Sequence, residues 1–240
     1  MRASLQSTMA SRFHQHAVTA SGTMLLMMMT VASALADPAG TMTYRITVEN
    51  LTPARGGGAS QVLSPSLVLL HDGRANLFTV GQRANQSVID VAEDAIGSTG
   101  IAAYNGDNGV GFVGFLGSPI LPGQSQSFEV SAPARFHQLS LASMLVNTND
   151  AFTGLDAVQL TGGSNVYMTQ AYDAGSEVND QLRANIPGPC CGDTGRHGTD
   201  ESEVIRHHLG ILPGVGDLVP ETWGWPTGSA VARITVERVK

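Results

Sequence analysis

Two short stretches concentrate the oxygen donors of this chain. Asn147-Thr148-Asn149-Asp150-Ala151-Phe152-Thr153-Gly154-Leu155-Asp156 follows an apolar run of strand type, and Tyr172-Asp173-Ala174-Gly175-Ser176-Glu177-Val178-Asn179-Asp180 comes soon after it. A calcium ion takes about six to eight oxygens from carboxylates, side-chain amides and carbonyls. Two acidic loops at one end of a β-structure can supply such a set from separate parts of the sequence. The same Asn, Asp and Gly residues are also ordinary turn chemistry, so the residue types alone leave ion site and turns both open.

Other residues invite sharper chemistry. Cys190 and Cys191 are the only cysteines, and they are adjacent. In an exported chain a vicinal disulfide, two buried thiols or an intermolecular bridge are all open. With His197 and His207 or His208 they would form a zinc set, but adjacent cysteines fit poorly the usual Cys-x2–4-Cys spacing. His207-His208 lies near Asp200-Glu201-Ser202-Glu203, either a His/acid pair for general-base work or the solvated face of a short helix. Trp223-Gly224-Trp225-Pro226 offers either an indole platform for a sugar or packing under a loop. His71-Asp72 reads as turn chemistry. No Gly-x-Ser-x-Gly, His-Glu-x-x-His or phosphate loop is present. Gly109-Val110-Gly111-Phe112-Val113-Gly114 matches the dinucleotide pattern, but Gly117-Ser118-Pro119 follows at once and forbids the helix that pattern needs.

The elements that would position these residues are mostly strands. Residues 43–52 alternate, with Tyr44, Ile46 and Val48 on one face and Arg45, Thr47 and Glu49 on the other; residues 230–239 alternate too. Both contain Arg-Ile-Thr-Val-Glu, at 45–49 and 233–237, which we read as two amphipathic strands and not as an internal repeat. Strand-type runs are expected at 63–70, 76–80, 110–116, 126–130, 138–146, 157–160 and 165–170. A helix is expected over 87–96, with Val88, Val91, Ala92 and Ala95 at helical spacing and Ser87 as cap. From Asp173 to Trp225 the pattern is a long loop excursion with one short helix over 200–209. No low-complexity linker divides the chain. The expectation is one all-β domain, a β-sandwich, with a β-barrel as the runner-up.

Composition narrows the partners. The 240 residues carry 13 Lys and Arg against 20 Asp and Glu, a net charge of −7. Residues 1–36 have the layout of a signal peptide: basic and acid-free at the start, apolar from Met24 to Ala32, and Ala34-Leu35-Ala36 at the small-residue spacing. The apolar run is too short to span a bilayer, which takes about 20 residues. Without that segment the charge falls to −9, since it holds Arg2 and Arg12 and no acid. Such a chain is a poor ligand for nucleic acid, which needs clustered cations. The expectation is a secreted or periplasmic protein of residues 37–240, with no transmembrane segment.

At the acidic stretches the chain resembles the spondin N-terminal domain in its bacterial exported form. The resemblance rests on Ser143-Met144 followed by Asp150-Ala151-Phe152-Thr153-Gly154-Leu155-Asp156, and on Tyr172-Asp173-Ala174-Gly175-Ser176-Glu177. Tyr44 to Thr52, Phe78-Thr79-Val80-Gly81 and Ala232 to Val236 are also similar, so it covers essentially all of 41–240. It implies a C2-like antiparallel β-sandwich of the matrix and adhesion type with a bound Ca2+. The ion would be held by Asp150, Asp173 and Glu129, the last placed only by lying on the strand before 138–146. The chain departs from the animal proteins at Ala151, where they carry an aromatic residue, and in lacking their cysteine pattern and the thrombospondin repeats that follow. The function implied is non-catalytic binding or adhesion to an extracellular protein or glycan. The rivals are an exported hydrolase using His207 and His208, and a carbohydrate-binding module using Trp223 and Trp225.

Overall fold

The computed structural model describes residues 40–55, 58–192 and 195–240; the expected signal peptide, 1–36, lies outside them. The chain runs β1 (Thr41–Asn50), β2 (Ala54–Arg55), β3 (Gly58–Ala59), β4 (Ser66–His71), α1 (Gln86–Asp94), α2 (Ser98–Tyr104), β5 (Val110–Leu116), β6 (Ser125–Pro133) and β7 (Gln138–Met144). It continues through β8 (Ala151–Gln159), β9 (Ser164–Thr169), β10 (Ala171–Asp173), a 3-10 turn (Arg183–Asn185), β11 (Arg206–His207), α3 (Pro220–Trp223) and β12 (Ala232–Arg238).

Two antiparallel sheets form the expected sandwich. One has the order β6-β1-β12-β9 and the other β11-β10-β8-β7-β4-β5. The first and last long strands pair in register, with Arg45 opposite Glu237, Thr47 opposite Thr235 and Glu49 opposite Arg233. Read antiparallel, Arg-Ile-Thr-Val-Glu is complementary to itself, so the two copies meet in matching pairs along the sheet. Tyr44, Ile46, Val48, Ile234 and Val236 point inward from this sheet and meet Val68, Leu70, Leu139, Leu141 and Leu155 of the other.

The larger sheet is buried on both faces at its central strands, β4, β7 and the start of β8. Its outer side carries Leu67, Leu69, Ala142 and Phe152, packed against Val88, Val91 and Ala92 of α1 and against Leu77, Phe78 and Ile205. A strand covered on both sides has no polar face to alternate with, and all six residues of β4 are buried. The close fit of the helical layer depends on small residues: a Cβ on Gly100 of α2 would lie 2.4 Å from Leu67 Cδ2.

Several local expectations are corrected. The helix starts one residue earlier than expected and is capped by Asn85, whose side chain accepts from Val88 N at 3.1 Å, while Ser87 is buried. Residues 76–80 form no strand: Leu77 and Phe78 are apolar because they lie beneath α1. Residues 200–209 form no helix, since their amides are spent on the neighbouring chain, Glu203 N on Gly175 O and His208 N on Ala171 O. Finally, β8 begins at Ala151, so the loop expected over 147–156 ends at Asp150. Gly154 mimics a turn residue in the sequence but sits mid-strand, where a Cβ would come 1.8 Å from Leu141 O.

Candidate metal centre at the loop end

The position of Asp150 follows from the sheet. It is the last residue before β8, and β10 pairs with β8 in the register that sets Asp173 opposite Ala151. Two carboxylates are thereby carried to one end of the sandwich on adjacent strands. The short β7–β8 connection is fixed from within: Thr148 Oγ1 donates to Leu145 O and accepts from Ala151 N. Asn147 Oδ1 accepts from Cys190 N, and Asn149 Oδ1 from Gln181 N. These amides therefore tie loops together instead of facing a common point.

Asp150 is fully buried, and its Oδ2 accepts from Ser176 N at 2.8 Å and Glu177 N at 3.1 Å. Its Oδ1 is buried with no hydrogen-bond partner. Burial, and then the charge of Asp173, push its pKa up to about 7. Asp173 is better served. Oδ1 accepts from Gly175 N at 2.8 Å, and Oδ2 accepts from Asn179 Nδ2 and lies 3.0 Å from Arg206 Nε. A groove of about 330 Å³ opens beside it, walled by Asn179, Arg206 and His207 together with the apolar Leu209, Leu212 and Val215.

Glu129 does not join them. It sits on the outer face of the smaller sheet, with its side chain half exposed, and pairs with Arg45 at 2.9 Å. The alternation of β6 explains this: Val130 and Ala132 point inward, so Glu129 points to solvent. Of the three residues expected as ligands, the fold brings together Asp150 and Asp173.

A second group adjoins the first through the Glu177 amide that Asp150 receives. Glu177 is 1 % exposed; its Oε1 accepts from Gly198 N at 3.0 Å and faces His197 Nδ1 at 3.0 Å, while its Oε2 is buried without a partner. Glu93, in the last turn of α1, places Oε2 3.6 Å from the same Nδ1, and Asp94 places Oδ2 3.3 Å from His197 Nε2. One ligand atom each from Glu93, Glu177 and His197 lie within 4.8 Å of one another. Burial and the nearby Glu93 push Glu177 up to about 7, and burial likewise raises Glu93. Burial works against a charged His197, yet Asp94, Glu177 and Glu93 outweigh it and raise its pKa.

No family model and no curated protein matches the chain.

The remaining candidates resolve into structural roles. Cys190 and Cys191 are joined as a vicinal disulfide, and no free cysteine remains among the described residues, which removes the thiolate zinc set. His208 is buried, with Nε2–H donating to Asn179 Oδ1 and Nδ1 accepting from Gly210 N, and burial holds its pKa down to about 4. His207 is exposed and stacks on Tyr172. Neither ring is set against a carboxylate for base catalysis. Trp225 is buried against His208, and Trp223 is partly buried with Arg183 over its ring, so neither presents an open platform. His71 Nε2 and Ser140 Oγ lie 3.0 Å apart, but both residues are fully buried. Since His71 Nδ1 accepts from Gly73 N, its Nε2 carries the proton and cannot take one from the serine. Among the described residues no helix is long and apolar enough to cross a membrane.

The sequence analysis missed Glu93 and used His197 only beside the cysteines. Glu93 lies on the polar side of a helix pattern, and nothing in its spacing ties it to residues far along the chain.

Proposed function

We propose that this protein is an exported, non-catalytic binding domain of spondin type, whose loop end is held by a calcium ion between Asp150 and Asp173. One observation carries the reading: Asp150 Oδ1 is buried and unpartnered, in a carboxyl that feels the charge of a second one, Asp173. A buried anion in that state is strongly disfavoured unless it is protonated or meets a cation. The residues fit calcium in part. Asp150 has an oxygen to give, Asp173 already has Arg206 as counter-charge, and Glu129 plays no role. When bound, calcium would supply the positive charge that lets Asp150 stay ionised beside Asp173. The chain's own residues set the loop shapes, Asp150 through the Ser176 and Glu177 amides and Asp173 through Gly175. The acidic loops would then present a fixed surface to an extracellular protein or glycan.

The test is a thermal melt of the purified protein in EDTA and then in excess calcium, alongside elemental analysis. Calcium that binds only the native state stabilises it by about 2.7 kcal/mol at a hundredfold excess over Kd, and a midpoint raised by several degrees is expected. An unchanged midpoint, with no ion retained on purification, would remove the calcium reading.

A further inference from the structure

We propose that Glu93, Glu177 and His197 form a binding site for a zinc-class divalent transition-metal ion, separate from the calcium position between Asp150 and Asp173. Three segments distant in sequence converge there: the end of α1, the loop after β10, and the 195–200 loop. A tetrahedral zinc ion with ligand bonds near 2.0 Å has its donor atoms about 3.3 Å apart. The two separations from His197 Nδ1, 3.0 Å to Glu177 and 3.6 Å to Glu93, bracket that edge. These two pairs thus stand near the spacing an ion requires, and all three donors lie within 4.8 Å of one another.

Two further observations point to a ligand. Glu177 Oε2 is buried without a hydrogen-bond partner, in a residue only 1 % exposed. The far side of the imidazole is also prepared. Asp94 Oδ2 lies 3.3 Å from Nε2, so that with an ion on Nδ1 in place of its hydrogen bond to Glu177 Oε1 the imidazole proton would sit on Nε2, towards this carboxylate. Metal-ligating histidines are oriented in this way by a carboxylate behind them. Asp94 is therefore a positioning residue.

The donor set selects the class of ion. Calcium and magnesium take oxygen ligands, whereas imidazole with carboxylate suits zinc and its neighbours. Three protein ligands leave a fourth position for water or for a donor from a partner.

The test is a cobalt(II) titration of the purified protein after chelator treatment, followed by visible absorption. A single equivalent is expected to give a d–d band that zinc abolishes and excess calcium leaves unchanged. His197→Gln should lose the band; this side chain is 42 % exposed, so the variant is expected to fold, as circular dichroism would show. Asp94→Asn should weaken binding by about 10-fold or more through the lost orientation. Absence of any binding tighter than about 100 μM, or unchanged binding in His197→Gln, would overturn the site. Displacement of cobalt by calcium would merge the two positions and overturn the separate site. A negative calcium melt with a positive cobalt titration would overturn only the calcium reading.

Discussion

Asp150→Asn should have opposite effects with and without calcium. Asn is nearly isosteric with Asp. Its oxygen can keep the two backbone donors, Ser176 N and Glu177 N, and its neutral NH2 group then takes the place of the unpartnered Oδ1, which removes a buried charge from beside Asp173. Raising a buried carboxyl from 3.8 to about 7 corresponds to about 4 kcal/mol at neutral pH, using about 1.4 kcal/mol per tenfold change. Part of this is lost because a neutral amide makes weaker bonds to the two backbone N–H groups than a carboxylate does. A net gain of about 1–3 kcal/mol is expected for the variant in EDTA at pH 8. For a domain of this size that is a rise in midpoint of about 2–10 °C. The raised pKa means that the penalty on the wild type grows as pH rises through 3.8 and is complete above about 7. The advantage of the variant should therefore shrink towards pH 5. In excess calcium the order reverses if the wild type gains more than this margin, because the amide cannot supply the charge. Thermal and urea melts at pH 5 and pH 8 check both arms. A variant less stable than wild type in EDTA at pH 8 by more than about 1 kcal/mol would refute the argument from burial.

Other expectations are simpler. Gly154→Ala places a methyl 1.8 Å from Leu141 O in the middle of the large sheet, so a loss of more than about 3 kcal/mol is expected in urea melts. The pKa of His208, held at about 4 against an ordinary 6.5, means the folded state binds fewer protons than the unfolded one. Its contribution is complete above pH 6.5 and is lost as pH falls towards 4; an NMR titration should find this ring neutral at pH 5.5, and a midpoint near 6.5 would contradict its burial. Glu129→Gln removes only a solvent-exposed ion pair and should change stability by less than about 0.5 kcal/mol, with the calcium response of the melt unchanged.

The sandwich was legible because its central strands advertise themselves. β1 and β12 each have one wet face, and their alternation survives in the sequence. Of the third layer only α1 was legible, through the helical spacing of Val88, Val91 and Ala92; α2 and the segment beneath α1 were not. Leu77 and Phe78 look like a strand, and only the helix above them explains their apolarity. Gly154 looked like a turn because a glycine demanded by close backbone approach is indistinguishable, in sequence, from one demanded by a positive φ. Of the site, Asp150 and Asp173 were placed by motif and are adjacent through strand register. Glu129 was placed by strand order alone, which says nothing about which face a residue occupies. Glu93 and His197 meet across more than one hundred positions of chain, and no local pattern encodes such a meeting.

The pairing of β1 with β12 has a consequence for assembly. Because Arg-Ile-Thr-Val-Glu opposes a second copy of itself, with threonine at the centre and arginine against glutamate at each end, β1 of one molecule laid antiparallel on β1 of another would make the same cross-strand pairs. The pentapeptide itself therefore does not distinguish intramolecular closure from strand exchange between chains. That distinction falls to the flanks. In the finished sheet β6 covers the free edge of β1 and β9 covers that of β12, so neither self-matching segment remains an open edge. The exposure to homotypic pairing belongs to the interval before β12 docks, when β1 has its match only in other molecules.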